Sequence, residues 1–550
     1  MAAFPRIPFK GVALLHALFL FLILAPAAQS ATGGARIRFD VRPEPALESP
    51  RLSGRLVLVF ARTNAPEPLH QVGDPSWTGP FLAGVDAVDL SVRRPAQILE
   101  GATTFPGASL ADLPPGRWWV QAVLMTHRDL RLLDAPGNLV SEPEWLDVDP
   151  RRPETRKLTL SRALPPESLP PDTDRVKHLR FPSPSLSAFH GRPMFLRASV
   201  VLPRTFGSEP NRRYPLVVDI GGFGSRFDRF DRAMKEGSSL RQELDAFDAP
   251  QMVLLALDGA GPSGDPYQVD SDNHGPYGEA LVRELIPHVE HAFRCLGQPW
   301  ARFTAGGSTG GWVSLALQVL YPDFFGGCWS GFPDGVDFRA HQLVDIYGDA
   351  NAFVGATGFD RPSARTLLGD TKFTIRFEVA QENVLGDGGS YANGGGQWGS
   401  WNATFGPRGA NGRPLPLWDP RTGKIDPKVA ESWKRHDLRL QLERNWATLG
   451  PKLRGKIHVW VGEADEYFLN NAVHLLDDFL RQAQPPAEAE IRFGPGKGHG
   501  WNPEPYSGRL KRMQSVVEAG APKETAASRD EYFRNRFLHG GSCPHCKGGR

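Results

Sequence analysis

The fold is decided by the segment Ala301-Arg302-Phe303-Thr304-Ala305-Gly306-Gly307-Ser308-Thr309-Gly310-Gly311-Trp312. Its first residues predict a strand, and the mostly apolar residues 312–320 predict a helix directly after it. The turn between them has the pattern G-x-S-x-G, whose small residues allow the sharp bend that lifts a serine hydroxyl above a sheet. Because this pattern also arises by chance in a glycine-rich chain, the interpretation depends on its sequence context.

Two later segments supply an acid and a histidine in the order that such a turn requires. Residues 456–462 predict a strand ending just before Asp465, and residues 489–493 predict a last strand before a glycine-rich loop that carries His499. A nucleophilic serine, then an acid, then a histidine, each after a strand, is the chain order of the α/β-hydrolase fold. The sequence therefore predicts an α/β protein with a doubly wound hydrolase sheet.

The predicted triad assigns a chemical role to each residue. A serine hydroxyl is a weak nucleophile, so His499 would take the proton of Ser308 and later return it to the leaving group. Asp465 would hold the imidazole in the required tautomer. Singly, the three could be a loop hydroxyl, a surface histidine and a helix N-cap, and Glu463 and Glu466 stay open as alternative acids at the same strand tip.

A second glycine-rich turn predicts an oxyanion hole. Residues 214–220 form a predicted strand that leads into Gly221-Gly222-Phe223-Gly224. Backbone amides near Gly222 and Phe223 would join the amide of Thr309 in stabilising a tetrahedral intermediate. A plain glycine-rich turn without catalytic function is the alternative.

A distinctive segment precedes the elbow strand. Residues 271–281 read Ser-Asp-Asn-His-Gly-Pro-Tyr-Gly-Glu-Ala-Leu, and Glu-Leu-Ile-Pro follows at 284–287. With these residues, the chain from about Phe195 to Trp501 resembles the serine esterases grouped with esterase D. The resemblance implies a hydrolase sheet with the serine, aspartate and histidine in the roles given above, and it does not name a substrate.

The amino-terminal residues 1–30 resemble a secretory signal. Arg6 and Lys10 precede an apolar run over residues 12–25, and cleavage is expected near Ala31. A retained membrane anchor is the alternative, although the run is short for a span. No other stretch approaches the length of a span, so we expect no stable membrane span after signal removal.

Two regions extend the minimal hydrolase, which we expect over residues 179–515. Short apolar runs broken by proline and glycine predict an antiparallel β-sandwich-like domain over residues 31–150, followed by a linker over 151–178. Enterochelin esterases and some polysaccharide-linked esterases resemble this layout. A cap-like insertion is expected over about residues 333–452, because 157 positions separate Ser308 from Asp465, more than two strand-and-helix units need.

The insertion contains a glycine-rich and aromatic segment over residues 386–401. Its composition predicts an irregular loop that forms a wall over the pocket. We expect Trp398 and Trp401 to bind substrate there, since no regular core would bury both rings. A disordered surface loop is the alternative.

Composition bounds the partners. Without the signal, 61 basic residues face 61 acidic residues, which argues against nucleic acid as a partner. Cys295 and Cys328 are expected to be buried, whereas Cys543 and Cys546 lie in a predicted tail over residues 516–550. With His545 the tail offers three potential ligands where structural zinc takes four, so we expect no metal there.

Together these features predict a secreted or periplasmic serine esterase. It would form an acyl-enzyme on Ser308 and hydrolyse small-molecule or glycan-linked esters without a metal or organic cofactor. Two alternatives stay open, namely a serine peptidase and a non-catalytic binding protein on a hydrolase scaffold.

Overall fold

A computed structural model describes residues 37–49, 51–149 and 152–522. The expected signal segment and the Cys543/Cys546 pair lie outside these residues. Nine strands form the first sheet: β1 (Ile37–Pro43), β2 (Gly54–Ala61), β3 (Phe81–Ala87), β4 (Ala96–Ile98), β5 (Thr103–Phe105), β6 (Gly116–Met125), β7 (Leu139–Ser141), β8 (Glu144–Val148) and β9 (Glu154–Ala163).

This N-terminal sheet has the order β4-β1-β9-β7-β6-β2-β3-β5, with β8 also paired to β6. The pairs are antiparallel except for β1 and β9, which run parallel. The strands belong to one hydrogen-bonded sheet rather than to the two separate sheets of a sandwich. Alternate residues of its strands, from one edge of the sheet to the other, face one shared apolar core. Strand β9 lies where the sequence predicts the linker, because its alternating apolar residues complete that core.

The second part of the chain begins with β10. Up to the elbow its elements are β10 (Val176–Pro182), α1 (Pro184–His190), β11 (Phe195–Val201), β12 (Leu216–Ile220), α2 (Arg229–Ala233), α3 (Ser239–Asp245), β13 (Val253–Leu257), β14 (Asp270–Ser271), β15 (Gly275–Pro276), α4 (Tyr277–Ala280), α5 (Ile286–Ala292) and β16 (Arg302–Gly307). A π-helical turn, Leu281–Leu285, joins α4 to α5.

After the elbow the elements are α6 (Thr309–Leu320), β17 (Gly327–Gly331), β18 (Pro362–Arg365), β19 (Thr371–Thr374), α7 (Ile375–Leu385), α8 (Gln397–Phe405), α9 (Pro427–Trp433), α10 (Leu438–Leu453), β20 (Ile457–Gly462), α11 (Asn470–Gln482), β21 (Glu490–Gly494) and α12 (Tyr506–Gly520). Helix α12 continues past residue 515, where the sequence-based boundary places the start of the tail.

Eight strands form the second sheet in the order β10-β11-β13-β12-β16-β17-β20-β21. Strand β11 is antiparallel to both neighbours, and all pairs from β13 onward are parallel. Separate apolar clusters cover the two faces, as a parallel sheet requires. Counted within the sheet, the order is 1-2-4-3-5-6-7-8, which confirms the expected doubly wound hydrolase sheet and places the elbow after its fifth strand.

The cap-like insertion lies between the adjacent parallel strands β17 and β20. It contains the β18/β19 hairpin and helices α7 to α10. The expectation of an irregular glycine-rich loop is wrong in part, because residues 397–405 form helix α8. This helix is possible because eight of its nine residues are buried, and its apolar side chains join the core that also covers the hydrolase sheet, which sequence composition does not reveal.

The N-terminal sheet packs directly on helix α7. Apolar residues of its outer face contact Phe377, Ala380 and Val384. Arg55, which is 2% exposed, donates from Nε to the carbonyl oxygen of Val384 at 2.8 Å. Gly84 passes so close that a Cβ would lie 2.4 Å from that same oxygen. The two parts of the chain are therefore joined by a tight, apolar and hydrogen-bonded contact.

Candidate active site

Ser308 stands at the sharp turn between β16 and α6. Its backbone has φ 59° and ψ −124°, a strained conformation for a residue with a side chain. The surrounding glycines are required by close approach: a Cβ at Gly306 would lie 2.4 Å from the Gly310 oxygen, and a Cβ at Gly310 would lie 2.1 Å from the Ile220 oxygen. The turn thus has the geometry of a nucleophile elbow.

His499 follows the last strand, β21, and is held by two neighbouring acids. Its Nδ1 lies 2.9 Å from Oδ2 of Asp465, a carboxylate with no exposed surface. The other oxygen, Oδ1, accepts the backbone N–H of Tyr467 at 2.9 Å. The rings of Phe332 and Tyr467 meet the imidazole edge to face, with centroids 4.8 and 4.9 Å away. Hydrogen bonding and aromatic packing together fix the orientation of this ring.

The alternative acids have other partners. Glu466 accepts the backbone N–H of His499 and so holds the loop rather than the ring. Glu463 contacts Nε2 of His474 at 3.0 Å on the exposed side of α11. Of the three acids at this strand tip, Asp465 is therefore the one placed to orient the imidazole.

The predicted oxyanion residues lie beside the elbow. A Cβ at Gly222 would lie 3.7 Å from the Cβ of Ser308, and Phe223 lines a cavity together with that serine. Thr309 is the first residue of α6, where a helix leaves its backbone N–H without an intrahelical acceptor. These positions can deliver two amides to one oxygen near Ser308.

A cavity of about 660 Å³ opens over Ser308 and His499. The N-terminal part contributes one wall with Leu69, Leu132 and Leu133, and the insertion contributes another with residues of α7 and α8. The wall from the N-terminal sheet was not predicted, because no local sequence pattern shows which loops of one domain reach the site of another. The volume of the cavity is in the range of sites that bind small molecules.

A family comparison decides the assignment. Residues 191–513 match the model of the family described as "Putative esterase", which is more than half of the chain. The chain belongs to this esterase family. The assignment confirms the expectation of a serine carboxylic-ester hydrolase on an α/β-hydrolase sheet.

Several solved structures are similar to this esterase at low identity, whereas comparison with curated proteins gives no match. A ferulic acid esterase is 15% identical, with 62% of this chain and 98% of the other covered and a TM-score of 0.36. Fluorophosphonate-binding serine hydrolase F of Staphylococcus aureus is 13% identical, with the same coverages and TM-score. An S-formylglutathione hydrolase from Agrobacterium tumefaciens is 11% identical, with coverages of 62% and 94% and a TM-score of 0.33.

Trp398 and Trp401 of the esterase are buried in helix α8, being 1% and 2% exposed. Their rings pack together with centroids 4.7 Å apart, so the expectation that no regular core buries both is wrong. Trp401 lines the cavity, and its Nε1 donates to Oδ2 of Asp334 at 3.1 Å. Trp398 does not line it and donates from Nε1 to Glu378 at 2.8 Å.

Asp334 is a site residue that the sequence analysis missed. It follows β17 as Asp465 follows β20, so the same rule of polar residues after parallel strands could have found it. Its side chain is buried, and its Oδ1 lies 3.4 Å from the hydroxyl oxygen of Ser308. Burial raises the pKa of this carboxyl, against the opposing effect of hydrogen bonds from Tyr267, Thr309 and Trp401.

Two further carboxyl groups of α7 line the cavity. Burial raises the pKa of Glu378 to about 7 and that of Glu382 to about 8. Glu382 accepts the backbone N–H groups of Trp398 and Gly399, which ties α7 to the start of α8. These acids therefore shape the cavity wall, and their raised pKa values favour the protonated, uncharged forms near neutral pH.

No group of three or more His, Cys, Asp or Glu side chains suited to a metal occurs within residues 37–49, 51–149 and 152–522. In the same residues, no helix combines the length and apolar character needed to cross a bilayer.

Proposed function

We propose that this esterase hydrolyses carboxylic esters through an acyl-enzyme on Ser308. The hydrogen bond between His499 Nδ1 and Asp465 Oδ2, in a cavity that Ser308 also lines, carries the proposal. It fixes the imidazole with Nε2 as the nitrogen that is free to exchange a proton.

The reaction proceeds in two proton-balanced halves. Nε2 of His499 takes the hydroxyl proton as Oγ of Ser308 bonds to the carbonyl carbon, and the proton passes to the departing alcohol when the ester bond breaks. Water then loses a proton to the same nitrogen and attacks the carbonyl carbon of the acyl-enzyme. The bond from that carbon to Oγ breaks, Nε2 returns the proton to Oγ of Ser308, and the acid is released. Amides of Thr309, Gly222 and Phe223 stabilise the oxyanion in both halves.

The cavity supports a compact substrate. The cavity has a volume of about 660 Å³, and the N-terminal sheet and the insertion form two of its walls. It accommodates a small-molecule ester or the esterified end of a glycan. We also propose that the enzyme acts outside the cytoplasm, on the basis of the signal-like residues 1–30. Sequencing the amino terminus of the mature protein from its native host tests that part.

Intact-protein mass spectrometry after fluorophosphonate treatment tests the acyl-enzyme proposal. The wild type should gain one adduct, which peptide mapping should place on Ser308, and it should hydrolyse 4-nitrophenyl acetate. Ser308→Ala should lose both properties, whereas Ser515→Ala on the outer helix α12 should keep them. A folded Ser308→Ala enzyme that still turns over the ester would refute the mechanism.

A further inference from the structure

The two oxygens of Asp334 have different surroundings. Oδ2 accepts hydrogen bonds from the Tyr267 hydroxyl at 2.5 Å, the Thr309 hydroxyl at 2.9 Å and Trp401 Nε1 at 3.1 Å. Within the described residues, Oδ1 faces only the Ser308 hydroxyl, at a long 3.4 Å. Oδ2 is thus held by three donors, whereas Oδ1 can accept further hydrogen bonds and faces the site of acyl transfer.

Asp334 is not a second triad acid. The Nδ1 atom of His499 already bonds Asp465. Within the described part of the chain, Asp334 forms no salt bridge with Lys, Arg or His, and the charge effect on its pKa comes from nearby His499, which lowers it. Burial raises the pKa of Asp334, and the three donors on Oδ2 oppose that rise. In its ionised form Asp334 is a buried negative charge beside the nucleophile.

Such a charge opposes catalysis on a neutral acyl group. The tetrahedral intermediate develops negative charge within a few ångströms of Ser308 Oγ, and a neighbouring carboxylate repels it at low dielectric. A positive group on the substrate, placed between the two anions, removes this penalty. The same group would take over Oδ1 and release the Ser308 hydroxyl to His499.

We propose that Asp334 is a specificity residue that selects acyl groups with a protonated amine on the carbon next to the scissile carbonyl. The substrates would therefore be α-aminoacyl esters. This inference rests on the proposed acyl-enzyme at Ser308 and adds the acyl class to it.

Covalent geometry permits the contact. In the acyl-enzyme an α-amino nitrogen lies three bonds from Oγ, roughly 3 to 4 Å away with ordinary bond lengths. Since Oδ1 of Asp334 is 3.4 Å from Oγ, an amine on this side of the acyl group comes within hydrogen-bonding reach.

The charge of the cavity agrees with a cationic substrate. Its lining includes one arginine, Arg131, which pairs with Asp387 at 2.9 Å. The carboxyl groups of the lining are those of Asp74, Asp134, Asp334, Glu378 and Glu382. Glu378 and Glu382 contribute less charge near neutral pH, because burial raises their pKa values to about 7 and about 8. The other three carboxyl groups still outnumber the single arginine, and this excess attracts an amine toward the cavity before it reaches Asp334.

Matched esters test the proposal. Release of methanol from L-phenylalanine methyl ester is compared with release from methyl 3-phenylpropanoate, which differs only by the amine, and from the uncharged N-acetyl-L-phenylalanine methyl ester. The wild type should favour the amino ester in kcat/KM by about 100-fold, as expected for a buried polar group left unpaired by the analogue. Asp334→Asn should reduce that preference below about tenfold, because it slows the amino ester and, by removing a charge that repels the oxyanion, raises kcat/KM on methyl 3-phenylpropanoate.

Asp147→Asn is the matched control, because it removes the same charge from an exposed position on β8 that does not line the cavity. It should keep the preference. Equal rates of the wild type on the amino and desamino esters would overturn the proposal, even if Asp334→Asn does not fold. A preference that survives in Asp334→Asn, or disappears equally in Asp147→Asn, would also overturn it.

Failure of this inference differs from failure of the proposed function. If the wild type hydrolyses methyl 3-phenylpropanoate in a Ser308-dependent way but shows no preference for the amino ester, only the proposed specificity role of Asp334 is refuted. If Ser308→Ala hydrolyses either ester normally, the acyl-enzyme proposal falls as well.

Discussion

Glu466 accepts the backbone N–H of His499. The residue before it in the sequence, Asp465, bonds the imidazole of the same histidine. The histidine loop is therefore attached to the tip of β20 at two points, one through its backbone and one through its ring. A close approach supports this attachment, since a Cβ at Gly498 would lie 2.5 Å from Oε2 of Glu466. The two neighbouring carboxylates have different functions, which substitution can separate.

Asp465→Asn should lower kcat by about three to four orders of magnitude, because an amide facing Nδ1 favours the wrong tautomer. Glu466→Gln keeps an oxygen for the His499 N–H and should cost less than about tenfold. Steady-state kinetics on 4-nitrophenyl acetate measures both. An inactive Glu466→Gln variant together with a fully active Asp465→Asn variant would show that Asp465 is not the acid of the triad.

Variants of Ser308 separate chemistry from backbone strain. Ser308→Ala should lower kcat by about four to six orders of magnitude and leave the fold intact. Ser308→Gly should be equally inactive but more stable than Ser308→Ala by about 1 kcal/mol, since glycine adopts φ 59° without strain. Thermal melting of the two variants measures the difference. Equal melting temperatures would show that the turn is not strained.

Glu378 makes stability depend on pH. Its pKa rises from 4.5 to about 7 on folding, so its contribution to stability is complete below about pH 4.5 and is lost as pH rises through 7. Glu378→Gln keeps an oxygen for the Ser363 hydroxyl and Trp398 Nε1, which both bond Oε2. We expect the variant to gain about 1–3 kcal/mol relative to wild type between pH 5 and pH 8.5. Denaturant titration at both pH values tests this, and a constant difference would contradict it.

Arg55 links the N-terminal sheet to the cavity. Arg55→Met should destabilise the protein by about 1–3 kcal/mol, because it leaves the Val384 carbonyl without its donor and Asp86 without its ion pair. It should also raise KM, since α7 lines the cavity. Arg94→Met, which removes an exposed ion pair in the loop between β3 and β4, is the control and should change neither. An unchanged KM in Arg55→Met would show that the contact between the N-terminal sheet and α7 does not affect substrate binding.

Much of this arrangement follows from local sequence rules. The elbow at Ser308, and the placement of Asp465 and His499 after parallel strands, depend on short patterns and on the order of elements along the chain. The same rule applied to the end of β17 would have indicated Asp334. Sequence patterns reveal such positions because parallel strands bring their carboxyl ends to one edge of the sheet.

The parts that escaped prediction depend on contacts between distant segments. Trp398 and Trp401 lie in a glycine-rich stretch, yet a shared aromatic core holds it as helix α8. Likewise, Leu132 lines the cavity only because the N-terminal sheet packs on α7. Tertiary packing overrides local composition in both cases, and a single sequence carries no direct record of it.

Helix α7 presents Val384 to the N-terminal sheet and the Glu378 and Glu382 carboxyls to the cavity. A change of side-chain volume on the outer face of that sheet therefore shifts the acidic wall of the cavity without altering any residue near Ser308. Substrate preference in this lineage can thus diverge through substitutions outside the hydrolase part of the chain, while the catalytic machinery stays constant. Comparing only the hydrolase parts of related enzymes would overlook those substitutions.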